Sequence, residues 1–396
     1  MGKAGETNDV DRTRLIAGTG GNVLLLSMRR LADLVAFCLP YEFEDVVAEV
    51  TGADRVEANG YRSLEMSRRA YKLARFVTRS PGLARALASE PSTVRLSRDY
   101  DLFFPVFNHP YELYALATIP GWRDHCKAAA CFVSEIWVQT LPGYLLELLA
   151  GFDHVFVGMR QTVGEVARII GRPCTYLPLA TDVVRFAPLP TPPGRVIDVC
   201  NIGRRSPITH DALIRLARER KMFYYYDTVA ASGADKKQRT FSVSDASEHR
   251  LLLASVLQRS RYYIANRSRV NEPEFTQGRD EISARFYEGA AAGALMIGEP
   301  PRTEEFDRQF DWPDAVIRLP FDSPDVAEIL ADIDKDEERV LRIRRDNLKN
   351  AALRHDWVHR LRIVFETLGL PPTPAMVARE KRLEGLAVDA QKGSML

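Results

Sequence analysis

The chain has 396 residues, 46% hydrophobic and 27% charged, with a formal net charge of +1. That length supports two separate cores, and the composition is that of a globular protein. A near-neutral balance excludes a general nucleic-acid binder, and no apolar run approaches the roughly 20 residues that span a bilayer. Cys38, Cys126, Cys131, Cys174 and Cys200 are odd in number and scattered, without a C-x-x-C pair, so neither a disulfide frame nor a zinc site is expected. The polar opening MGKAGETNDVDRTR lacks the apolar core of a signal peptide, and a cytoplasmic location is expected.

Taken in order, residues 1–20 read as a tail. Gly18–Gly21 (GTGG) precede the first strand, Asn22–Ser27, so they do not form the strand-to-helix turn that cradles phosphate. Tyr41–Val50 and Ser63–Thr78 have helical spacing of apolar residues. Strands follow at Tyr100–Phe107 and Ala128–Val133, with His109 and Glu135 just beyond their ends. A helix at Leu141–Ala150, a strand at His154–Gly158, a helix at Thr162–Ile170 and a strand at Thr175–Leu177 complete the half. Strands alternating with helices predict a mostly parallel, doubly wound sheet.

Five prolines between Pro178 and Pro193 have linker composition. The boundary is expected near Pro188–Gly194, giving domains 1–188 and 195–370 and a helical tail, 371–396. The alternation then restarts: strand Arg195–Ile202, followed by Gly203, Arg204 and Arg205, helix Thr209–Lys221, and strand Met222–Tyr226. Helix Glu248–Gln258, strand Arg261–Ala265 and a late strand, Val316–Leu319, continue it. Helices Pro324–Ile333, Asp336–Ala352 and His355–Leu368 close it, and Gly369 and Pro371 end the last.

Between them lies TQGRDEISARFYEGAAAGALMIGE, Thr276–Glu299. It reads as a polar turn, a helix over Ile282–Ala292 and a buried strand over Ala294–Ile297. Asp280 and Glu281 stand where unpaired helix N–H groups favour acids, and Gly293 ends the helix at a residue free to take positive φ. Arg285 and Glu288 share a face, as an i,i+3 salt bridge of about a few tenths of a kcal/mol or as a ligand-binding pair. The bare run Gly289–Ala292 lets a sheet or a ligand approach the helix closely.

R-F-Y-E-G-A-A-A-G-A-L-M-I-G-E resembles the donor-binding segment of GT-B glycosyltransferases, in particular the CgeB-like group. The resemblance is strongest over Val196–Leu368 and weak over the first 180 residues. It implies two doubly wound Rossmann-like domains facing across a cleft, the first on the acceptor side and the second on the donor side. The implied activity moves a sugar from a nucleotide-diphosphate sugar to a hydroxyl acceptor, with retention. In this family two acids stand eight residues apart, as Asp280 and Glu288 do, and the second holds the ribose hydroxyls. The first is normally Glu, so Asp280 and its neighbour Glu281 both remain candidates. Arg204 matches the family's Arg after the second domain's first strand, with Arg205 beside it as a donor contact or a solvated loop charge.

The family's Lys several residues on is absent; Thr209 and His210 stand there, and charge neutralisation passes to Arg279 or Arg285. His109 and Glu135 match strand ends where related enzymes place cleft residues, with Trp137 as a stacking platform for the acceptor. Their plainer readings are a turn histidine before Pro110 and a capping acid. Arg side chains and a helix N-terminus replace a cation in metal-independent members, so no metal or other cofactor is expected. The missing Lys and the Asp-for-Glu leave room for an inactive GT-B domain that binds a sugar nucleotide or a partner. A sugar-nucleotide epimerase is the third reading. The family habit of sending the last helices back predicts that Met376–Leu386, or the helix before it, packs on the N-terminal half.

Overall fold

The computed structural model describes residues 13–59, 73–80, 83, 92–140, 143–188, 191–227 and 242–392. Most of the expected helix Ser63–Thr78 lies outside them, though 73–78 is helical. The chain forms two compact α/β units. The first takes the residues up to Asp33, then Val47–Gly158 and Thr162–Tyr176; the second takes Leu34–Val46, Met159–Gln161 and the chain from Leu177 on.

The sheet of the first unit contains β1 (Arg14–Ile16), β2 (Val23–Ser27), β3 (Asp54–Glu57), β4 (Tyr100–Phe103), β5 (Val106–Phe107), β6 (Cys126–Val133), β7 (His154–Val157) and β8 (Cys174–Tyr176). Its order is β1-β3-β2-β4-β6-β7-β8, with β5 paired to β6. Every pairing is parallel except β1 with β3. VLLLS in β2 is buried along its whole length, as a parallel strand covered on both faces must be. The expected strand Tyr100–Phe107 is two strands interrupted at Phe104–Pro105, since proline donates no ladder hydrogen bond. Two strands had no sequence reading. β1 falls within the supposed tail, and β3 (DRVE) is polar at three of its four positions, so β3 owes its extended form to pairing with β1 and β2, and β1 to pairing with β3. Gly18 and Gly21 press on the 51–53 backbone, where a Cβ would come within 2.2 Å of Gly52 O and 1.9 Å of Thr51 O. That close approach is their structural use.

The second sheet runs β10-β9-β11-β12-β13, all parallel, from β9 (Ile197–Asn201), β10 (Tyr224–Tyr226), β11 (Ser260–Ile264), β12 (Leu295–Gly298) and β13 (Ile317–Arg318). In chain order this is 2-1-3-4-5, a doubly wound arrangement whose strand order reverses between β9 and β11. Val199, Ile264, Leu295, Ile297, Leu213 and Leu330 centre its core. Two doubly wound units in one chain are the composition of the GT-B class.

Helix Ala284–Ala291 is shorter than its sequence pattern by two residues at the start and one at the end, and Gly293 follows at φ 60°. Its bare end does bring it close to the sheet: a Cβ on Gly289 would lie 2.8 Å from Met296 Cγ and 2.9 Å from Tyr263 Cδ1.

The tail is a helix, Pro374–Gln391, and it packs on helices Glu337–Arg354 and Trp357–Thr367 of its own unit. The expected return to the first 188 residues is also present, through segments that group with this same unit. What the helices do meet are sequence-early segments that group with the second unit. Arg379 reaches Asp182 at 2.5 Å, and Trp357 stacks on Phe43 with centroids 4.4 Å apart.

Candidate functional site

In a sheet of this order ligands bind beyond the carboxyl ends of the strands, at the point of reversal. In the second unit that point is bounded by Ile202–Ser206 after β9 and by Ala265–Ser268 after β11. Gly203, at φ 83°, takes a conformation open to glycine, and a Cβ there would lie 2.3 Å from Arg285 Nη2. Arg285 Nε donates to Ile202 O at 3.1 Å. Its guanidinium therefore lies on the bare backbone of the β9 turn, at the switch point. Helix Ala284–Ala291 leads into parallel β12, so its N-terminus lies at the same carboxyl edge. Ser283 gives its hydroxyl to Asn266 O at 2.7 Å and caps no helix N–H. The first-turn N–H groups thus keep their positive end without a side-chain cap.

Other expected donor residues lie along this edge. Arg204 pairs with Glu272, and Arg205 pairs with Asp227 at 2.6 Å while lying 5.4 Å over the Tyr226 ring. His210, on helix Pro207–Arg218, meets Tyr224 OH at 3.0 Å through Nδ1 and packs edge-on against Tyr226. Burial and the Arg205 charge lower its pKa, which keeps the imidazole neutral at pH 7. Thr209, where the family's Lys was sought, donates to Phe321 O at 2.6 Å. Asn201, Ser206, Asn266, Pro320 and Phe321 help line a small recess beside it. Ser206 occupies the N–H groups of Ile208 and Thr209, so this helix start is capped where the other is not.

The acids before the helix are spoken for, which corrects their reading as N-terminal helix acids. The helix begins only at Ala284. Asp280 pairs with Arg267 at 3.0 Å. Glu281 is buried and accepts the backbone N–H groups of Arg160 at 3.0 Å and Gln161 at 2.9 Å. Burial pushes its carboxyl up to about 7, against the lowering effect of those two hydrogen bonds. Arg279 is half-buried, and its charge is felt at Glu281.

Arg285 and Glu288 do not form the i,i+3 bridge that spacing allows. Glu288 turns inward, 5% exposed, with Oε1 paired to Arg250 and Oε2 accepting from Tyr263 OH at 3.4 Å. Arg250 in turn binds Glu42 through Nε at 2.7 Å and Nη2 at 3.1 Å. Sequence reading missed both partners. Arg250 did leave a signal, since it shares the buried face of helix Ala246–Gln258 with Leu253, Ala254 and Leu257.

In the first unit His109, Glu135 and Trp137 serve local structure. His109 is the N-cap of the 3-10 helix Pro110–Thr118: its Nδ1 accepts from Tyr111 N at 3.3 Å, and its own N–H donates to Glu112 Oε1 at 2.7 Å. This is the cap geometry that the plain turn reading of His109 expects. Glu135 accepts from the indole Nε1 of Trp137. Trp137 is 1% exposed, which corrects its reading as a stacking platform, because a sugar needs an open ring face. Among the described residues no group of three or more His, Cys, Asp and Glu could hold a metal ion, and no helix is long and apolar enough to cross a membrane.

Residues 247–366 match the family described as glycosyl transferase-like, a span that contains Arg250, Arg285 and Glu288. The chain carries a glycosyltransferase-family domain. No curated protein matches it. Solved structures similar to it include a glycosyltransferase from Rickettsia africae ESF-5, at TM-score 0.48 and 9% identity over 88% of this chain and 98% of that one. A UDP-forming α,α-trehalose-phosphate synthase from Burkholderia vietnamiensis gives TM-score 0.48 at 12% identity, over 91% and 99%. The O-GlcNAc transferase of Thermobaculum terrenum gives 0.39 at 10%, over 91% and 68%. The glycosyltransferase-family domain thus spans the whole switch-point edge after β11, together with the helix that brings Arg285 to the β9 turn.

Proposed function

We propose that the protein is a glycosyltransferase that moves a sugar from a nucleotide-diphosphate donor to a hydroxyl acceptor, with retention and without a metal ion. The observation that carries this is that Arg285, itself inside the family-matched span, lies on Ile202–Gly203 at the switch point. Diphosphate oxygens need directed donors, which guanidinium and uncapped helix N–H groups supply together. Arg204 and Arg205 flank the same turn, each half-buried beside one carboxylate that a phosphate can replace. Charge on the departing diphosphate grows in the transition state, so these fixed donors stabilise it more than the ground state. The ribose role that the resemblance implies for Glu288 needs its buried Oε2, which accepts from Tyr263 OH, to accept from the diol as well, and a carboxylate oxygen accepts more than one hydrogen bond. Binding without turnover is the second reading, favoured by the local engagement of His109 and Glu135.

A panel of nucleotide sugars, with each base and with or without chelator, tests this by calorimetry and product analysis. Transfer or hydrolysis that survives chelation is expected, and the anomeric configuration of the product reports retention. Binding alone supports the second reading, and isomerisation supports an epimerase. Absence of any nucleotide-sugar binding overturns the proposal.

A further inference from the structure

The segment after β11 supplies the partners of an arginine at the sheet edge. Arg204 Nη1 pairs with Glu272 Oε1 and reaches Asn271 Oδ1 at 3.4 Å, and these are its hydrogen-bond partners among the described residues. The second oxygen of Glu272, Oε2, accepts from Arg269 Nη1 at 2.7 Å. Its carboxylate therefore touches two guanidinium groups, one of them on its own segment. Burial raises its pKa, but the hydrogen bonds and charge of both arginines outweigh burial and hold it below its usual value, so the group is ionised at neutral pH. Asp227, the partner of Arg205, is placed differently. Its Oδ1 also accepts the N–H of Gly203 at 2.9 Å, which builds it into the β9 turn.

The backbone around Glu272 turns sharply at both ends. Arg269 and Gln277 each take a left-handed φ of 51°, uncommon for residues with a side chain, and Gly278 follows at 78°. Between them Val270 and Thr276 are buried, while Asn271, Pro273 and Glu274 are exposed. Arg269 folds back on the same segment, its guanidinium 4.0 Å over the Phe275 ring. The result is a short strap that sets a carboxylate on a cation of the switch point.

We propose that residues 269–277 form an autoinhibitory latch on the donor site: Glu272 occupies Arg204 in place of a donor phosphate, and the diphosphate releases the strap by taking that arginine. This rests on the glycosyltransferase reading and adds regulation of the same site. Glu272 keeps Arg269 when Arg204 leaves, so release strands no charge. Latch and ligand compete for one cation, and by linkage whatever weakens the latch tightens the ligand.

The test compares Glu272→Gln with Glu274→Gln in the full chain. The second removes the same charge from the same strap, but Glu274 is exposed and Arg204 pairs with Glu272 instead. The probes are the uridine, adenosine, guanosine and cytidine diphosphates, measured by calorimetry, and the tightest binder to the parent is carried through. Glu272→Gln is expected to bind it about tenfold tighter, the scale of one charge-assisted hydrogen bond that no longer has to be broken, and to lower the donor KM. Glu274→Gln should stay within about twofold of the parent, as an exposed, screened charge does. The N–H groups of Phe275, Thr276 and Gln277 are bonded within the strap, and in the parent their hydrogen exchange should accelerate about tenfold when the diphosphate binds. Equal gains in the two variants would mean a general charge effect and overturn the latch, as would a Glu272→Gln that binds no tighter than the parent. Exchange that the diphosphate leaves unchanged or slows overturns it too, and decides alone should Glu272→Gln fail to fold. In each of these cases transfer by the parent still supports the function. A parent that binds none of the diphosphates removes both readings.

Discussion

The helix Ala284–Ala291 has charge at both ends of its working face, treated in opposite ways. Near its start, at the sheet edge, Arg285 lies half-buried with a backbone carbonyl as its partner, and among the described residues it pairs with no carboxylate. One turn later Glu288 enters a region where Glu42, Arg250, Asp182, Asp356 and Arg379 are all buried and paired with each other. Burial by itself would raise the pKa of Glu42, but the charge and hydrogen bonds of Arg250 outweigh it and hold the group below its usual value. At Asp182 the balance falls the other way: burial, with Glu42 and Asp356 nearby, raises its pKa despite Arg379. The difference separates groups that hold the unit together from groups free to exchange partners with a ligand. Losing a buried partner damages the fold, whereas losing an edge cation damages binding.

The sharpest way to break that contrast is at Arg379, which bridges Asp182 at 2.5 Å and Asp356 at 2.9 Å. Arg379→Met leaves buried Asp356 without this cation and Asp182 with Arg185 at 3.5 Å, and is expected to cost about 3–5 kcal/mol in denaturant unfolding. A cost near that of an exposed pair, about 1 kcal/mol or less, would show that the cluster does not hold the unit.

Glu281 tests the boundary between the two classes, being buried with two backbone N–H groups as its hydrogen-bond donors and no close ion pair among the described residues. Its folded pKa of about 7 lies above the reference value of 4.5. The folded state then binds the proton more tightly than the unfolded chain, so this contribution is fully present below pH 4.5 and is lost as pH rises through 7. Relative to Glu281→Gln, the parent is expected to lose up to about 3 kcal/mol across that window, read from urea midpoints at each pH. Parallel curves for the two proteins would mean that the two N–H groups, not burial, set the carboxylate.

The smallest expected effect is at the edge itself. Arg285→Ala should leave the unfolding midpoint nearly unchanged and weaken a nucleoside diphosphate by about 1.5–3 kcal/mol in calorimetry, the scale of hydrogen bonds to charged groups. The bare nucleoside should bind as it does to the parent. Equal weakening of nucleoside and diphosphate would place Arg285 away from the phosphates and sharpen the contrast elsewhere.

Much of this chain was readable locally. Alternating apolar runs and helical spacings located most strands and helices to within a few residues, because such elements need only near neighbours. Gly293 was readable as a helix stop for the same reason, as was the phosphate-free use of Gly18–Gly21. β1 and β3 were not, since polar DRVE becomes a strand only by pairing with segments far along the chain. His109 showed its capping geometry in the pattern His-Pro before a short helix, yet its position beyond a strand favoured a catalytic role just as well.

Spacing put Arg285 and Glu288 on one face but could not say which way each would turn. Tertiary structure decided that, by bringing Ile202–Gly203 under one side chain and Arg250 against the other. Arg250 is separated from Glu42 by 208 residues, and Arg379 from Asp182 by 197. No local pattern encodes such pairs, because a charge is worth burying only when its distant partner arrives with it.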